Sequence, residues 1–447
     1  MRIVILGAGV VGMQIAEQLI AEGKDVVIIE KDPERAKYVT GRLDCIVLNE
    51  EGTRISTLRH AGIGEASIFI SATNSDEVNM IACGLVATEF DVPVKIARVR
   101  NMDYSETKIT GKSFLGIDLM VNSEIETARQ IANTIALGAD SDVVLFANTE
   151  LQLRNIVVGR TSFFHGKDVK DIRRRIKEPF LIAGIVRENS FIIPTGDTVV
   201  TEGDNLYLLA TKKDFTRIFI HAGKKQETID RIVIVGGGRI GALVCQYLIR
   251  TGRKIAIIES NYERCKVLSE KFPDALVLNA DISDEKIFEE ESLGSNDLIV
   301  TITDNQELNM LACLYAKIMG IKRSIALVTN SSYLAIASRL DIDVTISPKN
   351  STVDAIMKFI RKGNIKQLHS IFDGKAEVIE FVVDEKSGLA GKPLKELTFP
   401  SNSLILSVVH GGENILPHGN LAIAPGDLVI LITEKASISH LESFIQG

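Results

Sequence analysis

Arg2–Gly12 (RIVILGAGVVG) returns almost unchanged as Arg231–Gly241 (RIVIVGGGRIG). This repeat constrains the fold more than any other feature, because a chain that repeats a strand–turn–helix signal must repeat the unit built around it. Placing Gly7 on Gly236 sets an offset of 229 residues, and the correspondence runs on. VVIIEKDPER (Val26–Arg35) meets IAIIESNYER (Ile255–Arg264), and DCIVLN (Asp44–Asn49) meets DALVLN (Asp274–Asn279). SATNSDEVNMIAC (Ser71–Cys83) meets TITDNQELNMLAC (Thr301–Cys313), and IARVRN (Ile96–Asn101) meets IALVTN (Ile325–Asn330). Matching blocks in one order make the chain a tandem duplication.

Each copy has two parts. In the first copy, short β-branched runs near Ile3–Leu6, Val26–Glu30, Cys45–Leu48, Ile68–Ser71 and Val94–Val99 alternate with helical patterns starting near Gly9, Pro33, Thr53 and Asp76. The order βαβαβαβαβ predicts an α/β fold: a doubly wound, Rossmann-like parallel sheet with right-handed crossovers. The second part of each copy is shorter. LIAGIVRENSFIIPTGDTVVTEGDNLYLLAT (Leu181–Thr211) and LILSVVHGGENILPHGNLAIAPGDLVILIT (Leu404–Thr433) are alternating strands broken by Pro-x-Gly and Gly-Asp turns, a small β-rich α+β module. The expected order is therefore large domain 1–140, small module 141–222, large domain 230–365 and small module 371–447. The charged stretches His221–Asp230 and Arg361–Ser370 are expected as linkers.

Composition removes several classes. No apolar run approaches the roughly 20 residues of a membrane span, and the chain opens directly on a buried-type strand, so a cytoplasmic protein is expected. A net charge of −7 argues against a general nucleic-acid binder. The five cysteines form no C-x-x-C pair and sit mostly in apolar runs, which predicts buried reduced thiols rather than metal or redox use. The basic run KDIRRRIK (Lys170–Lys177) is expected as a solvated helix face.

The glycine spacing states what the repeats are built for. In Gly7-x-Gly9-x-x-Gly12 and Gly236-x-Gly238-x-x-Gly241, the first glycine permits a tight turn. The second admits a pyrophosphate to the backbone, and the third lets helix pack close to strand. The helix start then offers free N–H groups to an anion. Eighteen residues after the last glycine stands an acid in each copy, Glu30 and Glu259, placed to accept bonds from ribose hydroxyls. In an open parallel sheet ligands lie at the carboxyl ends of the strands, so Thr73 and Asn74, and Thr303 and Asp304, are expected to face the nucleotide. The candidate contacts of the first cleft are Gly7, Ala8, Gly9, Val10, Val11, Gly12, Glu30, Lys31, Asp32, Thr73, Asn74, Arg98 and Arg100. Those of the second are Gly236, Gly237, Gly238, Arg239, Ile240, Gly241, Glu259, Thr303 and Asp304. The clefts differ: Arg98 and Arg100 face Leu327 and Thr329 in the alignment, Arg239 replaces Val10, and Asn261 replaces Asp32. Arginine forks suit phosphates, so the first cleft is the better equipped for a free phosphate chain. The helices DEVNMIAC and QELNMLAC that follow are expected as core or subunit interface.

A dinucleotide fold does not fix a chemistry. The accessory modules are small, and the histidines have no equivalents between copies, so the residues support binding without catalysis. An NAD-dependent oxidoreductase, or a nucleotide-stabilised scaffold for another membrane partner, are the alternatives. The order of the four parts, the loops GAGVVG and GGGRIG, the segments ATNSDEVNM and ITDNQELNM and the Pro-x-Gly…Gly-Asp modules together resemble the TrkA family over essentially the whole chain. That family is the peripheral subunit of Trk potassium-uptake systems, built from tandem domains that regulate potassium conductance. The resemblance implies a cytoplasmic homo-oligomeric ring, four chains with eight nucleotide-binding domains, docked at the inner face of the cell membrane under an integral transporter subunit. Membrane contact would come only through that partner. It also implies that NAD/NADH and ATP/ADP alternate in the clefts; from the residues, no metal site and no nucleic-acid partner are expected. The Gly-Asp pair that related domains carry after the third strand reads Asn49-Glu50 and Asn279-Ala280 here, with acids one place later at Glu51 and Asp281.

Overall fold

The computed structural model describes residues 1–105, 114–136, 138–139, 144–146, 149–188, 190–221, 229–337, 340–360, 365–371, 376–397 and 402–434, with single residues 399, 437 and 441. The chain forms two compact units: Met1–Asp140 with Thr228–Ile360, and Ser141–Glu227 with Arg361–Gly447.

The first unit holds both large domains. The first domain runs β1 (Arg2–Leu6), α1 (Val10–Ala21), β2 (Asp25–Ile29), α2 (Pro33–Thr40), β3 (Ile46–Leu48) and α3 (Ile55–His60). It continues β4 (Ala66–Ser71), α4 (Asp76–Glu89), β5 (Val94–Arg98), α5 (Met102–Ser105), β6 (Leu119–Val121) and α6 (Ser123–Ala136). Its strands are all parallel, in the order β3-β2-β1-β4-β5-β6. Chain order reverses between β1 and β4, which makes the crevice at their carboxyl ends the expected ligand position. β1 shows why the sheet must be covered twice. Ile3 and Ile5 enter one core and Val4 and Leu6 another, all four buried.

In the second unit the first module runs β7 (Val144–Leu145), β8 (Leu151–Val157), α7 (Val169–Arg175), β9 (Leu181–Arg187), β10 (Ser190–Ile192), β11 (Asn205–Thr211) and α8 (Lys212–His221). The basic run KDIRRRIK supplies α7. Asp168 caps its start, and Arg173, Arg174 and Arg175 are exposed in its last turn, where cations suit the helix dipole.

The second large domain repeats the first: β12 (Arg231–Val235), α9 (Arg239–Ile249), β13 (Lys254–Glu259), α10 (Tyr262–Lys271), β14 (Leu276–Asn279) and α11 (Lys286–Glu290). Then follow β15 (Leu298–Thr301), α12 (Gln306–Ile318), β16 (Arg323–Leu327), α13 (Ser331–Ala337), β17 (Val344–Ile346) and α14 (Pro348–Ile360), with the strand order β14-β13-β12-β15-β16-β17. The last module is β18 (Ile365–Ile371), β19 (Ala376–Val382), β20 (Ser403–His410), β21 (Glu413–Ile415) and β22 (Leu428–Glu434). The small modules are antiparallel sheets, β10-β9-β11-β8-β7 and β18-β19-β22-β20-β21. Leu153, Tyr207 and Leu209 of one share a core with Val378, Ile430 and Ile432 of the other.

One sequence expectation about the fold needs correction. The stretch expected as a linker, Arg361–Ser370, is strand β18 from Ile365 onward, paired antiparallel with β19. Its sequence IKQLHSI lacks period-2 alternation, so pairing at a sheet edge sets its conformation. The other linker lies largely outside the described residues, since 222–228 are not among them. The cysteines are free thiols, four buried and Cys45 half-buried. Burial pushes Cys83 and Cys313 up to about 12, so neither is a nucleophile at neutral pH.

The first unit contains an exchange that periodicity alone does not reveal. Helix α6 lays Ala128, Ile131 and Ile135, one stripe at helical spacing, into the core of the second domain beside Val244, Cys245 and Leu248 of α9. Helix α14 returns the arrangement, setting Val353, Ile356 and Met357 with Ile15 and Leu19 of α1. Gln14 Nε2 donates to Asn350 Oδ1 at 3.0 Å, and the Ser351 hydroxyl donates to Gln130 across the α6–α14 contact. Each domain therefore completes the core of the other. Ile356→Ala, a change in the second domain, is expected to remove about 2–5 kcal/mol of stability from the first. Hydrogen exchange would show β1 amides losing protection while β12 amides keep theirs; the reverse pattern would contradict the exchange.

Candidate nucleotide sites

Both glycine turns have the geometry their spacing predicts. Gly7 and Gly236 hold φ of +100° and +102°, which side chains rarely tolerate. A Cβ on Gly12 or Gly241 would stand 2.0 Å from the carbonyl oxygen of Gly7 or Gly236, so α1 and α9 approach their turns only because these positions are glycine. Gly9 and Gly238 differ. They are the N-caps of α1 and α9, no side chain caps either helix, and a Cβ there would meet nothing within 4 Å. The turn is closed on its protein side and open on the other, where first-turn N–H groups await an anion.

The two acids brace the turns. Glu30 Oε2 accepts from the Ala8 N–H at 2.7 Å and Oε1 from the Asp32 N–H at 2.9 Å. Glu259 repeats this with Gly237 (2.9 Å) and Asn261 (2.8 Å), and adds Arg264 Nη1 at 3.2 Å. Burial alone would raise the Glu259 carboxyl; the bonds from the Asn261 and Gly237 amides and from Arg264 outweigh it and hold the group below the usual range. Asp32 caps α2 by accepting from the Arg35 N–H, and Asn261 caps α10 likewise, so the acid–amide difference leaves the local fold unchanged. Lys31 is exposed at the rim.

At the end of the fourth strand the hydroxyls of Thr73 and Thr303 turn inward, against expectation. Thr73 Oγ1 donates to Asn79 Oδ1 at 2.7 Å and Thr303 Oγ1 to Asn309 Oδ1 at 2.7 Å. Toward the glycine turn Thr73 presents its backbone and its Cγ2 methyl, so closely that a Cβ on Gly7 would lie 3.1 Å from both its Cα and its Cγ2. The wholly buried Asn79 also donates to the Arg98 carbonyl at 2.8 Å, and Asn309 to the Leu327 carbonyl at 3.0 Å. Three residues earlier, one turn along α4, Asp76 Oδ2 accepts from the N–H groups of Arg100 and Asn101, both at 2.8 Å. The helices read as core or interface thus grip the backbone around the arginines. The signal was present in the aligned Asn79 and Asn309, whose polar side chains do not suit an apolar core.

Arg98 and Arg100 bring two positive charges to the end of the fifth strand. Both are half-buried. Arg98 Nε donates to Ser123 Oγ at 3.3 Å and Arg100 Nη2 to Asn74 Oδ1 at 3.0 Å. Among the described residues neither guanidinium forms an ion pair with a carboxylate. Burial first, and Arg100 second, lower the Arg98 pKa to about 10, with Asp76 opposing them. Two charged forks held by neutral partners at a strand end have the chemistry that suits an anion. Arg239 behaves differently: its Nη1 reaches Glu124 Oε1 of α6 at 3.3 Å, joining the second turn to the first domain. Asp304 is exposed.

Residues 3–123 and 232–348 match the TrkA-N domain family, and 153–219 and 378–446 match the TrkA-C domain family. The chain is 32% identical over 452 residues to the Trk system potassium uptake protein TrkA of Halomonas elongata, covering 100% of this chain and 99% of that one. The chain belongs to the TrkA family. It is also 31% identical over 455 residues to TrkA homolog 1 of Methanosarcina mazei, with all of both chains covered. Its fold is shared with the GsuK RCK domain (18% identity, TM-score 0.57, 99% of this chain and 94% of that one). The GsuK channel bound to NAD gives 18% identity and a TM-score of 0.58, with 99% and 78% covered.

In this TrkA-family chain the brace on the second turn has a pH signature. A carboxyl held below its ordinary value of 4.5 contributes stability that is complete above that value and is lost as pH falls through the lower folded one. Glu259→Gln is therefore expected to lower the unfolding midpoint at neutral pH. The gap from wild type should close as thermal scans move below about pH 4.5. A constant gap across the range would remove the carboxylate from the account.

Proposed function

We propose that this chain is a nucleotide-sensing regulatory subunit of a potassium-uptake transporter, acting by binding rather than turnover. Membership of the TrkA family supports the assignment to potassium transport, as do relatives named as potassium uptake proteins along their whole length. The open glycine turns with their bracing acids support NAD(H) as one ligand, and the GsuK channel bound to NAD shares this fold. In this reading the candidate contacts named from the sequence line two clefts of unequal character. The chain assembles into a ring, a tetramer under the integral transporter subunit at the cytoplasmic face of the membrane. Among the described residues no helix is long and apolar enough to cross a membrane, in keeping with a peripheral subunit.

The observation that carries the reading is the arginine pair. Arg98 and Arg100 present two guanidinium groups with only neutral side-chain partners, at the strand end where a nucleotide's phosphates would lie. A third phosphate adds the charge and oxygens such forks recognise, so the first cleft distinguishes ATP from ADP. The second domain has Leu327 and Thr329 there and is better suited to ligands without a free phosphate chain. A ligand drives a change of ring shape only through its difference in affinity for two shapes, and gating of potassium flux follows from that difference.

Calorimetric titration of the whole protein tests the reading. Arg98→Ala and Arg100→Ala are each expected to weaken ATP about tenfold or more while changing ADP less. An unaltered ATP-to-ADP ratio in both variants would sink the proposal for the first cleft. Reconstitution with the transporter tests the rest, since potassium flux should then depend on the nucleotide. Binding without effect on flux would point to a scaffold, and steady NADH consumption to an oxidoreductase.

A further inference from the structure

The two clefts differ at a side chain that has the same structural task in each. In the first, Asp76 Oδ2 anchors the N–H groups of Arg100 and Asn101, both at 2.8 Å. In the second, Gln306 Oε1 accepts from the Thr329 N–H (3.1 Å), the Asn330 N–H (3.0 Å) and the Thr329 hydroxyl (3.1 Å). A neutral amide oxygen is thus sufficient to hold the end of the fifth strand. The fold does not call for the full negative charge found at Asp76. Only the first cleft has arginines at this strand end, and only the first has an acid beneath them. The neutral Ser123 and Asn74 orient the two guanidinium groups, and Asp76 is the acid whose field reaches Arg98.

We propose that Asp76 sets the affinity of the first cleft: its carboxylate attenuates the positive potential of Arg98 and Arg100, restraining both the grip on a nucleoside triphosphate and its preference over the diphosphate, so that the triphosphate is released. The inference rests on reading that cleft as an adenine-nucleotide site. An arriving polyphosphate would meet two cations and one anion, the Asp76 carboxylate that is fixed by the Arg100 and Asn101 N–H groups and whose field reaches Arg98. Removing the anion raises attraction most for the ligand with most charge, so both affinity and the ATP-to-ADP ratio increase. The increase is electrostatic and shrinks with added salt, which loss of a structural anchor would not do.

The experiment is calorimetric titration of the full chain with ATP and with ADP, at low and at high salt. It compares wild type, Asp76→Asn, Asp76→Gln and Arg98→Ala, with thermal unfolding of each. Asp76→Asn is isosteric and keeps an oxygen acceptor at the anchor, and Asp76→Gln installs the residue type that performs this task in the second cleft. The expected result is ATP binding about five- to tenfold tighter in the asparagine or glutamine variant, with ADP changed less and the gain reduced at high salt. ATP-to-ADP ratios within about twofold of wild type in both variants, with unfolding unchanged and ATP binding still sensitive to Arg98→Ala, would overturn the inference and leave the cleft assignment standing. Loss of ATP binding by folded variants would also overturn it, making Asp76 only an anchor. Wild-type protein that binds no ATP in this cleft would overturn both the inference and the assignment.

Discussion

A parallel sheet with two apolar faces must be covered on both, and each large domain of this chain lacks part of one cover. The missing part is the last helix of the other domain, α6 over the second and α14 over the first. The duplication is therefore more than a doubling of sites: the buried stripe of α6 has no place in its own domain, and neither has that of α14. Exchange also ties cleft to core. Helix α6 begins with Ser123 against Arg98 and continues with Ile131 and Ile135 inside the opposite domain. Whatever rearranges the arginines acts on the first residue of a helix whose middle is fixed in the neighbouring core. Interiors packed at crystal-like density repack between discrete arrangements rather than deform smoothly.

The two clefts show what a fold retains when a sequence is duplicated and then diverges. The turn glycines, the bracing acids and the inward threonine–asparagine pair are retained in both, because each satisfies a steric or hydrogen-bonding requirement of the backbone. The charges that differ include the arginines at the fifth strand, Asp76 against Gln306, and Arg239, paired with Glu124, against Val10. Caps show the same separation, since Asp32 and Asn261 accept equivalent amide bonds and only their charge differs. Backbone requirements fix shape in both copies, and charge is free to specialise one of them.

Much of this was legible in the residues. The glycine spacing and the βα alternation led to the sheets and the turns because each is a local requirement with a short-range cause. Three things were not legible. An amphipathic helix announces that it buries a face, not whose core receives it, so the exchange of α6 and α14 was hidden. Arg239 reads as part of its own turn, and its contact with Glu124, 115 residues away, is a product of that exchange. The hydroxyl of Thr73 stands at the ligand end of its strand, and only its partner, Asn79, shows that it points away. In each case the deciding contact is long-range or lies on the side of the backbone that a motif does not specify.

The same physics bounds what such a device can do. A ligand that held both arrangements of the first unit equally would shift nothing, however tight its binding. A preference of about 1.4 kcal/mol at one cleft is worth tenfold, and inverting a strongly biased equilibrium needs several such contributions together. Repeating a cleft, and joining the copies through exchanged helices, is one way for modest preferences to accumulate in a common structural change. Very tight binding at a single cleft would work against reversibility, because a ligand that leaves slowly cannot report a falling concentration. As proposed, Arg98 and Arg100 would take a phosphate chain and Asp76 would restrain their grip, a combination suited to a reversible sensor.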